Sequence, residues 1–173
     1  MIDPHVHLRD WEEAEKETLA HGFSVAWRAG LGALFEMPNT QPPLTSADAL
    51  RRRRDYADLR KAQAGVPIFH AMYAGLTADP SQIRSVVDEH RALFPRVIGL
   101  KLYAGHSTGR MGVTATALQF AVWKALAHER FRGVVAVHAE REELRRPDAW
   151  DPEHPQSYAD TRPPIAEAAS VQT

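Results

Sequence analysis

Val97-Ile98-Gly99-Leu100-Lys101-Leu102-Tyr103 is an apolar run broken by one lysine. Both of its alternating faces are apolar, as in a strand of a parallel sheet that is covered on both sides. On its N-terminal side Pro80 opens a helical stretch that runs to about Phe94, and on its C-terminal side Thr114 or Thr116 begins another that reaches about Phe131. The same alternation continues outward. Ile2 to Leu8 reads as a first strand, Glu17 to Ala29 as a helix stopped by Gly30, and Ala33 to Met37 as a second strand closed by Pro38. Ser46 suits the N-cap of a helix over Ala47 to Ala64, which ends at Gly65. Val66 to Tyr73 and Val134 to His138 are further strands, and Pro163 to Ala169 starts another helix with proline in its first turn.

Strand–helix units repeating every ~30 residues predict a parallel sheet of right-handed βαβ crossovers. No glycine-rich phosphate loop follows any strand, which removes support from a nucleotide-binding doubly wound sheet. The expected fold is therefore α/β: a partial (β/α)8, TIM-type barrel of about five βα units, with functional residues at the C-terminal strand ends. A closed barrel needs about 250 residues, and the chain has 173. Residues 1–173 are thus expected to form a single, incomplete domain without strands six to eight, with its open edges continued by further sequence or covered by another chain.

Composition narrows the function. Lys plus Arg number 21 and Asp plus Glu 22, so no strong field favours nucleic acid or an anionic membrane. There is no cysteine, which leaves nitrogen and oxygen as the metal donors. No segment approaches the ~20 apolar residues of a membrane span, and Met1 leads into the first strand without a signal-peptide pattern. A cytoplasmic protein is expected. The basic quartet Arg51-Arg52-Arg53-Arg54, with Asp48, Asp55 and Asp58 nearby, reads as a solvated helix face.

Three strands carry the chemistry. His5 and His7, one residue apart, point to the same side of a strand and can grip one metal ion. Lys101 in mid-strand is costly to bury as an unpaired ammonium. It either snorkels to solvent or is a low-pKa amine able to capture carbon dioxide as a bridging carbamate. His138 ends the fifth strand as a further ligand, or as a core histidine bonded to a carbonyl. Arg9 offers a guanidinium fork suited to a carboxylate, and Asn39 offers a donor and an acceptor. Each is a candidate substrate contact, or else a hydrogen bond closing a βα loop. His106, in the small-residue loop 105–109, reads as a loop or substrate-contact residue.

Asp3-Pro4-His5-Val6-His7-Leu8-Arg9, Glu36-Met37-Pro38-Asn39-Thr40, Gly99-Leu100-Lys101-Leu102-Tyr103, Val137-His138-Ala139-Glu140 and Arg162-Pro163-Pro164 together resemble the dihydroorotases of the cyclic-amidohydrolase superfamily. The resemblance covers essentially the whole chain. It implies a zinc site, usually of two ions: His5 and His7 on one metal, N6-carboxylated Lys101 bridging, His138 on the other, and Arg9 and Asn39 holding the substrate carboxylate. The implied reaction is the reversible cyclisation of N-carbamoyl-L-aspartate to L-dihydroorotate in pyrimidine biosynthesis. The family's remaining histidine ligand and its catalytic aspartate would lie beyond Thr173, so no catalytic residue of that type is present and the chain alone is expected to be inactive.

Two alternatives stand beside this reading. One is another cyclic-amide hydrolase, hydantoinase- or allantoinase-like. The other is a catalytically silent scaffold subunit serving a partner such as aspartate transcarbamoylase. The expected partners are a small-molecule substrate and a second copy of the chain, with neither nucleic acid nor membrane.

Overall fold

The computed structural model describes residues 1–106 and 111–172. Residues 107–109 of the loop after the fourth strand lie outside them. The element order is β1 (Ile2–Val6), α1 (Leu19–Arg28), β2 (Ala33–Glu36), α2 (Ala47–Ala64), β3 (Phe69–Gly75), α3 (Pro80–Leu93), β4 (Val97–Tyr103), α4 (Thr116–His128) and β5 (Val134–His138). Short 3₁₀ turns then lead to α5 (Tyr158–Thr161) and α6 (Pro164–Val171).

The strands form one five-stranded sheet in the order β1-β2-β3-β4-β5, with every neighbouring pair parallel. Helices α1 to α4 pack side by side over the crossovers. The result is a half-barrel, as the alternating pattern predicted. Local signals set the helix ends. Ser46 Oγ accepts from Ala49 N, Asp79 caps α3 just ahead of Pro80, and Gly65 closes α2 at φ 65°, a left-handed conformation that favours glycine.

Two buried clusters glue helices to sheet. Leu8, Leu19, Phe23, Leu34 and Ile68 fill the first half. Leu50, Met72, Ile83, Val86, Leu100, Leu102 and Val122 fill the second. Leu100 and Leu102 face the helices, so alternation turns Lys101 and Tyr103 to the opposite, concave face. Gly99 shares that face. A Cβ there would lie 2.7 Å from the Val134 carbonyl oxygen and 3.1 Å from the Tyr73 ring.

The structure corrects several expected boundaries. β1 ends at Val6, not Leu8, and its register on β2 shifts between Asp3 and Val6. His7, Leu8 and Arg9 therefore lie beyond the strand, and strand alternation governs neither the direction of His7 relative to His5 nor that of Arg9. β3 begins at Phe69 rather than Val66, because Pro67 has no N–H for the ladder, and it runs past Tyr73 to Gly75. α4 stops at His128, short of Phe131.

The larger correction concerns the arginine quartet. Arg53 has no exposed surface, because its place in α2 falls on the stripe of Ala49, Leu50 and Ala57 that faces the sheet. Arg51 makes a bidentate pair with buried Glu89 at 2.7 and 2.8 Å, while Arg52 and Arg54 stay on the outer face with Asp48 and Asp55. Elsewhere Leu118, Phe120 and Trp123 on α4 and Val134 and Val137 on β5 are exposed. Among the described residues no helix is long and apolar enough to cross a membrane.

Candidate functional site

A cavity of about 310 Å³ opens at the C-terminal edge of the sheet, and His5, Lys101, His138, Glu140, Arg162 and Glu167 line it. The first, fourth and fifth strands thus bring three of the four candidate metal-binding residues to one space. His7 adjoins it, with its ring centroid 5.3 Å from that of His5.

The protonation states suit cation ligands. Lost hydration holds both His5 and His7 below the usual imidazole value. The nearby Lys101 charge pushes the same way on both. Lys101 is itself buried, and burial alone lowers its amine from the ordinary lysine range. Its Nζ lies 5.1 Å from the centre of the Tyr103 ring, which in turn is 6.1 Å from the His138 ring. Neutral imidazoles and a poorly solvated amine are donors that a divalent cation can take.

Among the described residues no group of three or more His, Cys, Asp or Glu side chains lies close enough to hold a metal ion, so His5, His7 and His138 do not make one by themselves. His138 Nε2 is directed at Glu140 Oε2, 3.4 Å away. That carboxylate is in turn held by Arg162 at 2.5 Å and lies 3.7 Å from Arg145.

Arg9 and Asn39 take positions that neither residue's chemistry alone would have fixed. Asn39 is buried, and its Oδ1 sits 2.7 Å from His7 Nδ1. An amide oxygen only accepts, so Nδ1 carries the proton and Nε2 keeps its lone pair. Arg9 Nη1 donates to the Asn39 carbonyl at 3.1 Å and lies 3.5 Å from Glu13 Oε2. Arg9, His7 and Asn39 form one linked group, with Glu13 a carboxylate already against the guanidinium. His106 is exposed, its backbone N–H held by Glu142 at 2.8 Å.

Sequence reasoning missed Glu13, Glu140 and Tyr103. The Tyr103 hydroxyl is buried without a hydrogen-bond partner among the described residues, and burial raises its pKa. Its signal was available, since it follows Lys101 by two residues on the same strand. Glu13 and Glu140 sit in loops, where no periodicity announces direction.

No protein-family model matches the chain. The dihydroorotase of Thermococcus kodakarensis is 30% identical over 172 residues, covering 99% of this chain and 34% of the relative. Among solved structures, the L-hydantoinase (dihydropyrimidinase) of Arthrobacter aurescens superposes with a TM-score of 0.71 at 24% identity, covering 99% of this chain and 37% of its own. The dihydroorotase of Saccharomyces cerevisiae gives 0.61 at 19% identity, covering 99% of this chain and 42% of its own. The chain therefore spans about a third of the length of this curated relative. Its sequence resembles dihydroorotases over nearly its whole length, and its fold matches part of these hydantoinase and dihydroorotase structures.

Proposed function

We propose that this dihydroorotase-like half-barrel carries part of a zinc-dependent centre that interconverts L-dihydroorotate and N-carbamoyl-L-aspartate. The observation that carries the reading is the convergence of His5, Lys101 and His138 on one cavity, with Arg9 on the segment that follows the strand carrying His5. In this reading His5, His7, a carboxylated Lys101 and His138 would hold the zinc, His138 giving up its contact with Glu140 to do so. The carbamate forms when the neutral Lys101 amine attacks carbon dioxide, making one N–C bond and releasing one proton.

A bound zinc ion supplies Lewis acidity toward the ring amide and eases deprotonation of water. The remaining work falls to protein groups. Asn39 keeps His7 in the tautomer whose Nε2 is available. Arg9 receives the substrate carboxylate and so orients the scissile amide against the cavity floor, which is worth rate through positioning alone. Tyr103 offers its unmet hydroxyl donor to an oxygen of the substrate or of the carbamate.

One observation favours a second reading. Glu13 already stands against Arg9, so a substrate carboxylate must compete with it, whereas a neutral cyclic amide need not. The two readings separate in the complete polypeptide by zinc content after dialysis and by turnover of L-dihydroorotate against hydantoin. Stoichiometric zinc and preference for dihydroorotate are expected. Preference for hydantoin would replace the substrate assignment, and absence of zinc would overturn the metal reading.

A further inference from the structure

Arg53 lies outside the cavity, yet it touches the backbone that presents the site. Its Nη2 donates to the carbonyls of Leu8 and Arg9, the latter at 2.7 Å. Its Nε and Nη2 also form a two-pronged pair with Glu36 at 3.1 and 2.5 Å. Glu36 accepts in addition from His70 Nε2 at 3.0 Å, and all three side chains have essentially no exposed surface. The guanidinium is roofed by the Trp11 ring, 4.6 Å from its centroid. Removing such charges from water carries a desolvation penalty that their attraction need not repay, and well-packed apolar residues often fill such a layer as stably. A buried ion pair is therefore weak evidence of a stabilising role.

What an apolar substitute cannot do is grip two successive carbonyls. Those carbonyls belong to residues 8 and 9, between His7 and the turn at Asp10 and Trp11, whose φ values are 63° and 55°. Aspartate tolerates that region better than a bulky tryptophan does. Asp10 anchors the other side of the turn through Leu19 N, Trp11 N and Tyr56 Oη. With both anchors in place the backbone is pinned behind Arg9 and immediately after His7, while their side chains reach Asn39.

We propose that Arg53, held by Glu36, is a positioning residue for the His7–Arg9 segment. The inference rests on the proposed function only for the substrate it names. The test compares the complete polypeptide with Arg53→Met/Glu36→Gln, which removes both charges together and leaves His70 a partner, and with Arg53→Lys, which keeps the charge but offers a point donor in place of a fork.

Two readouts are needed. In amide exchange, Asp10, Glu12 and Met37, whose N–H groups bond Glu17, Gln41 and Val6, should exchange at least tenfold faster in the double variant. Leu76 and Ala104, bonded to Lys101 and His138, should stay within twofold. In kinetics, KM for L-dihydroorotate should rise at least tenfold with kcat within threefold, and Arg53→Lys should lie between. A merely structural role lowers the active fraction, and with it kcat, at constant KM. Uniformly faster exchange, unchanged exchange at Asp10 and Glu12, or local loosening at constant KM would each overturn the proposal. A parent protein that does not turn over dihydroorotate refutes the functional reading instead; the exchange pattern then decides alone whether Arg53 fixes this segment.

Discussion

Asn39 Oδ1 accepts a hydrogen bond from His7 Nδ1 at 2.7 Å, so the loop after the second strand decides which nitrogen the histidine just past the first strand presents. Sequence pattern offered Asn39 as a substrate contact, and the contact the structure displays is to a candidate ligand. Losing an outer-shell partner of this kind weakens metal affinity by about 10–100-fold. Asn39→Ala should therefore weaken zinc binding by that order, measured by competition with a chromogenic chelator. Zinc affinity unchanged within twofold would show that His7 orients without it.

Arg9 and Glu13 make an opposed pair of tests. If the guanidinium binds the substrate carboxylate, Arg9→Met should raise KM for dihydroorotate, a charge-assisted bond being worth about 1.5–3 kcal/mol, or roughly tenfold to a hundredfold. Glu13→Gln removes the internal competitor, and KM should fall. Steady-state kinetics on the two variants check both signs, and a rise in KM for Glu13→Gln would mean that Glu13 orients Arg9 for its task.

Lys101→Ala should abolish turnover and lower zinc content. Acetate or propionate, added as a carboxylate the size of the missing carbamate, should restore part of the activity. Full rate and two bound ions in the variant would rule out a bridging role for this lysine.

Asp10 gives a pH signature independent of catalysis. Burial opposes its ionisation, but hydrogen bonds from Leu19 N, Trp11 N and Tyr56 Oη and the Arg53 charge outweigh it, holding the carboxyl below its usual value. A depressed folded pKa means stability that is complete above the unfolded value of about 3.9 and is lost as pH falls through the lower folded value. The melting-temperature gap between the parent protein and Asp10→Asn should accordingly be widest near neutrality and should close under acid. A constant gap down to pH 3 would mean that the charge of Asp10 contributes nothing.

Much of the half-barrel was legible because buried parallel strands write themselves as apolar runs and helices end on visible caps: Ser46, Pro80 and Gly65 all act where the pattern placed them. The end of β1 was not legible. Leu8 and Arg9 continue an extended-looking pattern, and the residue that draws their carbonyls away lies 45 and 44 positions later, respectively. Arg53 itself was obscured by its neighbours, since four consecutive arginines look alike until helical spacing with Leu50 and Ala57 is weighed above charge. At the site, residue type named the donors His5, Lys101 and His138, which the fold does bring to one cavity. It could not show that His138 leans on Glu140, or that Glu13 waits beside Arg9, because both acids sit in loops whose direction only tertiary structure sets.

The strict sequential order of the sheet bears on how the protein is made. Each strand docks on the one synthesised just before it, so contacts stay short in sequence and the growing chain can fold in step with translation. The cavity is the exception: its walls come from the first strand and the fifth, and it stays without His138 until some 130 further residues have left the ribosome after His5. Nascent chains shorter than that should already hold a sheet while the cavity still lacks the wall that His138 and the segment after it supply.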